Sequence, residues 1–439
     1  MNIITVSLSK TFSDTRVMKY IEYYLDKSYF VTCFGIDSYE NNFLKKKNYF
    51  NYIKFNNKHN QVNKFSISAV MIVIFLLALS ITSLIGLEII HLNLNIFIIF
   101  ILIFSLCFFF IFCLHFIIKI FNLLNRVVIY TNQIKFFLNK EKKKFELIHI
   151  HDLWTILMGF YIKKKIPNAK LIVDLHELYS ELPRQNFFHK KLSQTFLQIL
   201  KLNKKKVFKF ITINKHIKNY YIKNYKFIPI ITINNSCPIE SPKNDFKITI
   251  DKNLLKLKKE KKKILMYHGG ISLNRGVIEI CKFFTECEIK DWVFYIMGSG
   301  KGAEQIKELI DQNTKNNIFL TNPVKLYELY HYSSFADMGL INYKNNCLNH
   351  NYCTPNKLWE YSRASLPMLL SNCTSFIELN NKYNFGKIVD DKNYEGLLKI
   401  FSDLTDKELE KLSANSSKFY MKENWEVEKN KIDSELLDL

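Results

Sequence analysis

The sequence lacks the features that would place it in several common classes of protein. Its nine cysteines include no CxxC pair, so a zinc ribbon or a thioredoxin-like redox motif is excluded. It also lacks the composition of a disordered chain, because 48% of its residues are hydrophobic and 15% are aromatic. It opens on an apolar strand pattern rather than on a signal peptide. We therefore expect a folded protein in a reducing compartment.

Arginine is scarce, and acidic residues are few in the first part of the chain. Only five arginines accompany 57 lysines, so each arginine is informative, because its planar guanidinium binds two oxygens at once. Residues 1–240 hold 33 basic and 13 acidic side chains, whereas residues 241–439 hold 29 and 27. The excess predicts a polyanion near the first part: nucleic acid, anionic lipid or a phosphorylated substrate. No nucleic-acid recognition motif is present, so nucleic acid is the least favoured of these.

Two uncharged apolar runs, at 65–87 and 96–118, interrupt the first part of the chain. Each is long enough to cross a hydrocarbon core as a helix, and lysines flank the pair on both sides. They predict a two-helix transmembrane hairpin, inserted at 65–121. The expected location is then the inner (cytoplasmic) membrane, multi-pass, with both globular parts in the cytoplasm. A buried hairpin, or one that enters a single leaflet, is the alternative.

Outside these runs, apolar strand patterns alternate with helical ones, which predicts an α/β fold with parallel sheets. The pattern occurs twice and is interrupted by a polar, basic segment at 241–263. We therefore expect an acceptor-side Rossmann-like domain at 1–240, a linker at 241–263, a donor-binding Rossmann-like domain at 264–405 and a helical tail at 406–439. Two such domains facing each other form a cleft in which ligands bind.

The block PNKLWEY, at 355–361, is the strongest local signal for a ligand site. Pro355 is suited to the first turn of a helix, where its missing amide hydrogen has no effect on the helix. Asn356, Lys357 and the first-turn amides can then face an anion. Glu360 lies one turn further along, where a carboxylate suits the two hydroxyls of a ribose.

Two glycine-containing strand ends precede this block. HGGISLNRG, at 268–276, offers bare backbone at Gly269 and Gly270, followed by Arg275, which can bind a diphosphate through two bonds. A second strand ends in Gly298-Ser299-Gly300, which is weak evidence alone. His268 is expected to be structural.

His149 and His151 alternate on one strand and share a face, which raises the possibility of a metal site. No third ligand accompanies them at short spacing, so we expect no metal. Asp152 and Asp174 end strands at the expected cleft, where such carboxylates either bind ligand or cap the next helix. Glu177 either orients His176 or caps a helix.

Taken in order, YHGGISLNRGVIEI, YIMGSGKGAEQIKELI, ADMGLI and PNKLWEYSRASLP resemble the donor domain of glycosyltransferase family 4, which has the GT-B fold. The segments SLSKTFSDTRVMKYIEYYL, IHIHDLWTILMGFYIKKK and AKLIVDLHELYSELP resemble its acceptor domain. The likeness extends over the chain except the apolar hairpin. The chain is similar to bacterial members of this family that build surface polysaccharides or glycolipids.

The resemblance implies a role for each matching residue. Glu360 matches the second acid of the family's E-x7-E motif, which holds the donor ribose, and Arg275 matches a residue that stabilises the leaving diphosphate. Lys357 lies close to the same site. The remaining matches are Gly298 and Gly300 near the nucleotide base, His176 near the transferred sugar, and Arg16 facing the acceptor side with His151 and Asp152. Tyr352 stands where the motif has its first acid, and Gly270 where many members have an arginine.

These implications define an expected function. The chain would be a metal-independent, retaining glycosyltransferase without a cofactor. It would move a sugar from a nucleotide diphosphate-sugar to a lipid-linked or polysaccharide acceptor, with the membrane as a partner and nucleic acid excluded. The alternative is a catalytically degenerate GT-B protein that acts as a membrane scaffold or binding module.

Overall fold

The structure is a computed structural model of the chain. It describes residues 1–8, 14–36, 49–55, 105, 125–183, 187–238, 250–390 and 393–436. The chain divides into two compact units, Met1–Ile172 and Val173–Leu439. The domain boundaries expected near 240 and 264 stay predictions.

The first unit is built on parallel strands. Its strands are β1 (Asn2–Val6), β2 (Phe30–Gly35), β3 (Phe50–Lys54) and β4 (Leu147–His151), paired in the order β3-β2-β1-β4. Its helices are α1 (Thr15–Asp26), α2 (125–140) and α3 (Ile156–Lys165). Helix α1 begins after Asp14, whose carboxylate accepts hydrogen bonds from the amides of Arg16 and Val17. Strand β3 is absent from the predicted pattern, since the chain around it reads as polar and lysine-rich.

The first sheet continues beyond these strands. It has seven strands in the order β3-β2-β1-β4-β5-β6-β7, where β5 is Lys170–Asp174, β6 is Lys209–Thr212 and β7 is Ile230–Thr232. The connecting helices are α4 (Phe187–Leu202) and α5 (Lys215–Tyr225). The side chain of Asn214 caps α5 by accepting hydrogen bonds from the amides of His216 and Ile217. This alternation of strand and helix confirms the expected α/β fold.

The second sheet lies wholly in the second unit and is parallel throughout. Its order is β10-β9-β8-β11-β12-β13. The strands are β8 (Lys263–Gly270), β9 (Trp292–Ser299), β10 (Ile318–Thr321), β11 (Met338–Ile341), β12 (Met368–Ser371) and β13 (Gly386–Val389). Five consecutive residues of β8 are buried, as expected of a parallel strand whose two faces are both covered.

Helices surround this sheet and bury its apolar residues. They are α6 (Lys252–Lys259), α7 (Val277–Glu286), α8 (Ala303–Asp311), α9 (Leu329–Ser333), α10 (Leu348–Tyr352), α11 (Lys357–Arg363), α12 (Thr374–Tyr383), α13 (Tyr394–Asp403), α14 (Asp406–Glu423) and α15 (Trp425–Lys431). Helix α6 falls within the segment expected to be a linker, and it buries Leu254 and Leu257.

The structure corrects the membrane prediction. Within the described ranges, no helix is long and apolar enough to span a bilayer. The longest of these helices, α14, has 18 residues and carries charged side chains along its length, whereas a span needs about 20 predominantly apolar residues. The predicted transmembrane hairpin is therefore wrong for the described part of the chain, and the inner-membrane location that rested on it is corrected too. The runs 65–87 and 96–118 lie outside the described residues, apart from Ser105.

Candidate functional site

The ends of β8 and β9 form a close turn that only glycine allows. Gly269 pairs with Gly298 across the two strands and has a φ of +111°. A Cβ on Gly298 would collide with the carbonyl oxygen of Gly269, and a Cβ on Gly300, where φ is +147°, with that of Ile271. By contrast, a Cβ on Gly270 would meet no atom within 4 Å. The main chain is therefore closely packed at Gly298 and Gly300, whereas the space beside Gly270 is open.

Lys357, the first residue of α11, fills the space beside this turn. Its Nζ lies 3.1 Å from the position that a Cβ on Gly269 would take. The side chain is 9% exposed, and Nζ lies 5.0 Å from the ring centroid of Tyr267. The structure thus brings together a lysine and a glycine that are 88 positions apart in the sequence, as the predicted site requires.

The electrostatics of Lys357 are unusual for a lysine. Its pKa is lowered from 10.5 to about 8: burial is the largest cause, the positive charge of Arg275 also lowers the pKa, and the negative charge of Glu360 acts in the opposite direction. The guanidinium carbon of Arg275 lies 4.2 Å from the ring centroid of Tyr343. Two cations are therefore held near one carboxylate in a largely buried place, which leaves positive charge to be balanced by a ligand.

Glu360 lies on the same helix and faces His268. Its Oε2 is 3.5 Å from Nε2 of His268, and its side chain is 12% exposed. Burial, followed by the charge of Lys357, lowers the pKa of His268 well below 6.5, so the imidazole is neutral at pH 7. The His268 ring packs edge-on against Tyr361 at 4.8 Å. His268 and Tyr343 thus border the site, although the sequence pattern assigned a ligand role to neither.

The start of α11 differs from the simple expectation. Asn356 has helical backbone angles, and its side chain does not cap α11. Tyr352, which replaces the first acid of the family motif, has a structural environment: its ring stacks on His216 at 5.1 Å, and its carbonyl oxygen accepts a hydrogen bond of 2.7 Å from Nδ2 of Asn214. Position 352 therefore holds a side chain that packs against the protein, where the family motif has a carboxylate.

The loop after β5 carries the predicted residue His176. His176 is half-buried, and its ring lies 6.3 Å from that of Tyr179. The amide of Leu178, two positions on, donates a 2.8 Å hydrogen bond to Oδ1 of Asn349 in α10. This bond holds the loop against the segment that leads into α11. The role of His176 near the transferred sugar stays a prediction.

The predicted acceptor-side residues lie in the first unit. Arg16 is 4% exposed, and its guanidinium carbon lies 5.6 Å from the ring centroid of Tyr20. His151 is fully buried, with its ring 4.1 Å from that of His149. Asp152 has a φ of +75°, and its side chain does not cap the turn that follows. Their acceptor role and the expected absence of a metal stay predictions.

Comparison with known proteins identifies the fold. No protein-family profile matches the chain, and no curated protein sequence is significantly similar to it. The sucrose-phosphate synthase of Thermosynechococcus elongatus superimposes with a TM-score of 0.67 at 11% identity, covering 99% of this chain and 97% of its own. A glycosyltransferase from Rickettsia africae gives 0.61 at 14%, covering 98% and 96%. HepE of Anabaena, in complex with UDP and glucose, gives 0.63 at 12%, covering all of both chains.

These solved structures are GT-B glycosyltransferases. At such low sequence identity the likeness establishes the fold alone, and membership of family 4 stays a prediction. With its two parallel α/β sheets and neighbours matched over nearly their whole length, the chain has the GT-B fold.

Proposed function

We propose that the protein is a nucleotide-sugar-dependent glycosyltransferase that binds its donor at the ends of β8 and β9. The observation that carries this proposal is the pair of cations, the buried Lys357 and the half-buried Arg275, near the bare backbone of Gly269 and Gly270. UDP bound to the Anabaena neighbour supports a nucleotide diphosphate as the ligand.

A diphosphate would relieve the electrostatic cost of this arrangement. Burial disfavours the charged form of Lys357, and Arg275 repels it, so an anion placed between them raises the pKa of the lysine again. The open face at Gly270 lets a phosphate approach the main chain closely. The site is therefore more stable with a diphosphate bound than without one.

The same groups suit the chemical step. When the bond from the sugar to the diphosphate breaks, negative charge develops on the leaving oxygen, and fixed cations in a buried site stabilise that charge. Arg275 can bind two oxygens at once and Lys357 one. Glu360 would hold the ribose hydroxyls. Metal independence and retention of configuration belong to the same proposal.

The acceptor we propose is a saccharide, carried on a lipid or in a polysaccharide. The structure of a trehalose-phosphate synthase from Burkholderia xenovorans with glucose-6-phosphate supports a sugar acceptor for this fold. Arg16, His151 and Asp152 are the residues proposed for the acceptor side, and His176 is the residue proposed to lie near the transferred sugar. The membrane would be a partner only because it would hold the lipid that carries the acceptor.

The test is sugar transfer from a panel of labelled nucleotide-sugars to lipid and glycan acceptors. We expect Arg275→Ala and Glu360→Ala each to reduce transfer by about 100-fold or more, as expected for groups that bind developing charge or the donor. Arg363→Ala is the matched control, because Arg363 ends the same helix and its guanidinium packs against Tyr330. Full activity in both site variants would refute the site assignment. Nucleotide-sugar binding without transfer or hydrolysis would instead favour the degenerate scaffold.

A further inference from the structure

A cavity lies beside α11, and none of the proposed donor-site residues named above lines it. Its volume is about 220 Å³, below the range of about 300–1,000 Å³ that is typical of sites for drug-sized ligands. Helices α5, α11, α12 and α14 all contribute to its wall. A ligand for this cavity is therefore small, of the size of a single sugar ring.

One part of the cavity wall is apolar and rigid. It contains Trp359, Leu379 and Phe419. The Trp359 side chain is fixed, because its indole Nε1 donates a 2.8 Å hydrogen bond to the carbonyl oxygen of Glu423. Phe419 is fully buried and lies 5.9 Å from the Trp359 ring. These rings give the cavity a wall against which the C–H face of a sugar ring can pack.

Another part of the wall carries hydroxyl groups whose hydrogen-bonding capacity the protein does not fully satisfy. Ser375, in the first turn of α12, is 3% exposed, and its Oγ makes no hydrogen bond to any described residue. A buried hydroxyl in this state is destabilising unless a ligand or water satisfies it. Thr354 accepts a 3.2 Å hydrogen bond from Nδ2 of Asn214, which leaves its own proton available to a ligand. Both groups suit the hydroxyls of a sugar.

The charges at the cavity are balanced. Oε2 of Glu378 contacts Nζ of Lys215 at 2.6 Å and Nε2 of His216 at 3.0 Å, and neither ion pair involves its other oxygen. Glu423 pairs with Lys382 at 3.2 Å. Each carboxylate thus has a lysine partner, so the cavity favours a neutral ligand over an anion or a cation. Oε1 of Glu378 can accept hydrogen bonds from ligand hydroxyls.

We propose that this cavity binds a neutral pyranose unit, either free or at the end of a glycan. The ring packs on Trp359 and Phe419, and its hydroxyls bond to Ser375, Thr354 and Glu378. Such a site is separate from the donor site and does not rest on the proposed transferase function. If the protein is a transferase, the site gives it a second contact with a glycan.

The experiment is a titration of the full chain, monitored by NMR, with methyl glycosides of glucose, galactose and mannose and with oligosaccharides that end in them. For a ligand of this size we expect a Kd of roughly 1 mM. Ser375→Ala should weaken binding about threefold to tenfold, and Glu378→Gln about tenfold or more. Glu304→Gln is the matched control, because Glu304 also pairs with a lysine, at 3.0 Å, but lies on an exposed helix outside the cavity.

The variants also separate this proposal from the donor site. Ser375→Ala keeps UDP affinity, whereas Arg275→Ala loses UDP and keeps the glycoside. Tighter binding of an oligosaccharide than of the matching monosaccharide identifies a glycan end as the source of the sugar, and equal binding identifies the free sugar. The proposal is overturned if no glycoside or oligosaccharide binds saturably. It is equally overturned if Ser375→Ala and Glu378→Gln, with unchanged circular dichroism, bind as well as the parent protein.

Discussion

We expect Lys357→Met to make the unliganded protein more stable while weakening its binding of UDP. Lys357 is buried and lies in the field of Arg275, so its charge is unfavourable in the folded state. Methionine has a similar length and shape but no charge, and it packs well in irregular spaces. A residue that destabilises the fold and yet binds the ligand is the pattern expected of a functional site.

The size of the effect follows from the pKa. A pKa lowered from 10.5 to about 8 corresponds to about 3–4 kcal/mol of lost stability at pH 7, at about 1.4 kcal/mol per unit. Methionine removes this penalty but also removes the interaction of Nζ with the Tyr267 ring at 5.0 Å, which is worth about 0.5–1 kcal/mol. The lowered pKa already includes the attraction to Glu360, so that attraction is not subtracted again. We expect a net stabilisation of about 2–3 kcal/mol at pH 7.

The extra stability of the Lys357→Met variant depends on pH in a defined direction. Between pH 8 and 10.5 the unfolded chain keeps the Lys357 proton while the folded protein has released it. The stability of the parent protein therefore rises with pH in this window relative to the variant. The deficit is complete below pH 8 and disappears above about pH 10.5. The variant is thus clearly the more stable protein at pH 7, and its advantage falls to less than about 1 kcal/mol near pH 10.

Urea unfolding of both proteins at pH 7, 8.5 and 10 measures this difference, and calorimetric titration with UDP measures the ligand affinity. We expect the variant to bind UDP about 10- to 100-fold more weakly at pH 7, because it lacks a charged hydrogen bond to phosphate. Parent affinity should fall as the pH rises above 8. Lys307→Met, at a lysine whose side chain is 58% exposed, is the control and should change stability by less than about 0.5 kcal/mol. A variant less stable at pH 7, with a difference that does not change with pH, would refute the reasoning.

Two further predictions concern the groups around this lysine. Tyr343→Leu should weaken UDP binding about threefold to tenfold, because it removes the ring that holds the Arg275 guanidinium at 4.2 Å. Tyr343→Phe keeps a ring and should bind UDP within twofold of the parent. Equal UDP affinities for the Leu and Phe variants would contradict the role of the ring. Gly298→Ala should lower stability by about 1–3 kcal/mol in thermal unfolding, since its Cβ meets the backbone of the neighbouring strand. Gly270→Ala places its Cβ in open space and should unfold within a few degrees of the parent. Similar melting temperatures for the two variants would count against the packed turn.

Local patterns in the sequence were enough to predict most of the fold. The strand expected at 264–271 is observed as Lys263–Gly270, and the one expected at 292–300 as Trp292–Ser299. Apolar runs bounded by glycine or polar residues indicate buried parallel strands, because both faces of such a strand are covered. The edge strand Phe50–Lys54 was missed, since its residues are half-buried and carry no continuous apolar run.

The apolar runs at 65–87 and 96–118 show the limit of such patterns. Hydropathy alone predicted a transmembrane hairpin, but no helix in the described ranges has the length and apolar character of a span. Hydropathy measures the preference of a segment to leave water. It does not state whether lipid or other parts of the protein provide the apolar surroundings.

The sequence by itself determined the two-sheet α/β plan and the residue types of the proposed donor site, because strand period, glycine turns and PNKLWEY are local features. Only the tertiary structure decided which of these residues meet. Lys357 fills the space beside Gly269, Arg275 lies on Tyr343, and the cavity at Ser375 appears where four helices come together. The physical reason is that burial, charge coupling and cavity shape depend on residues distant in the sequence, and these also set the pKa of Lys357.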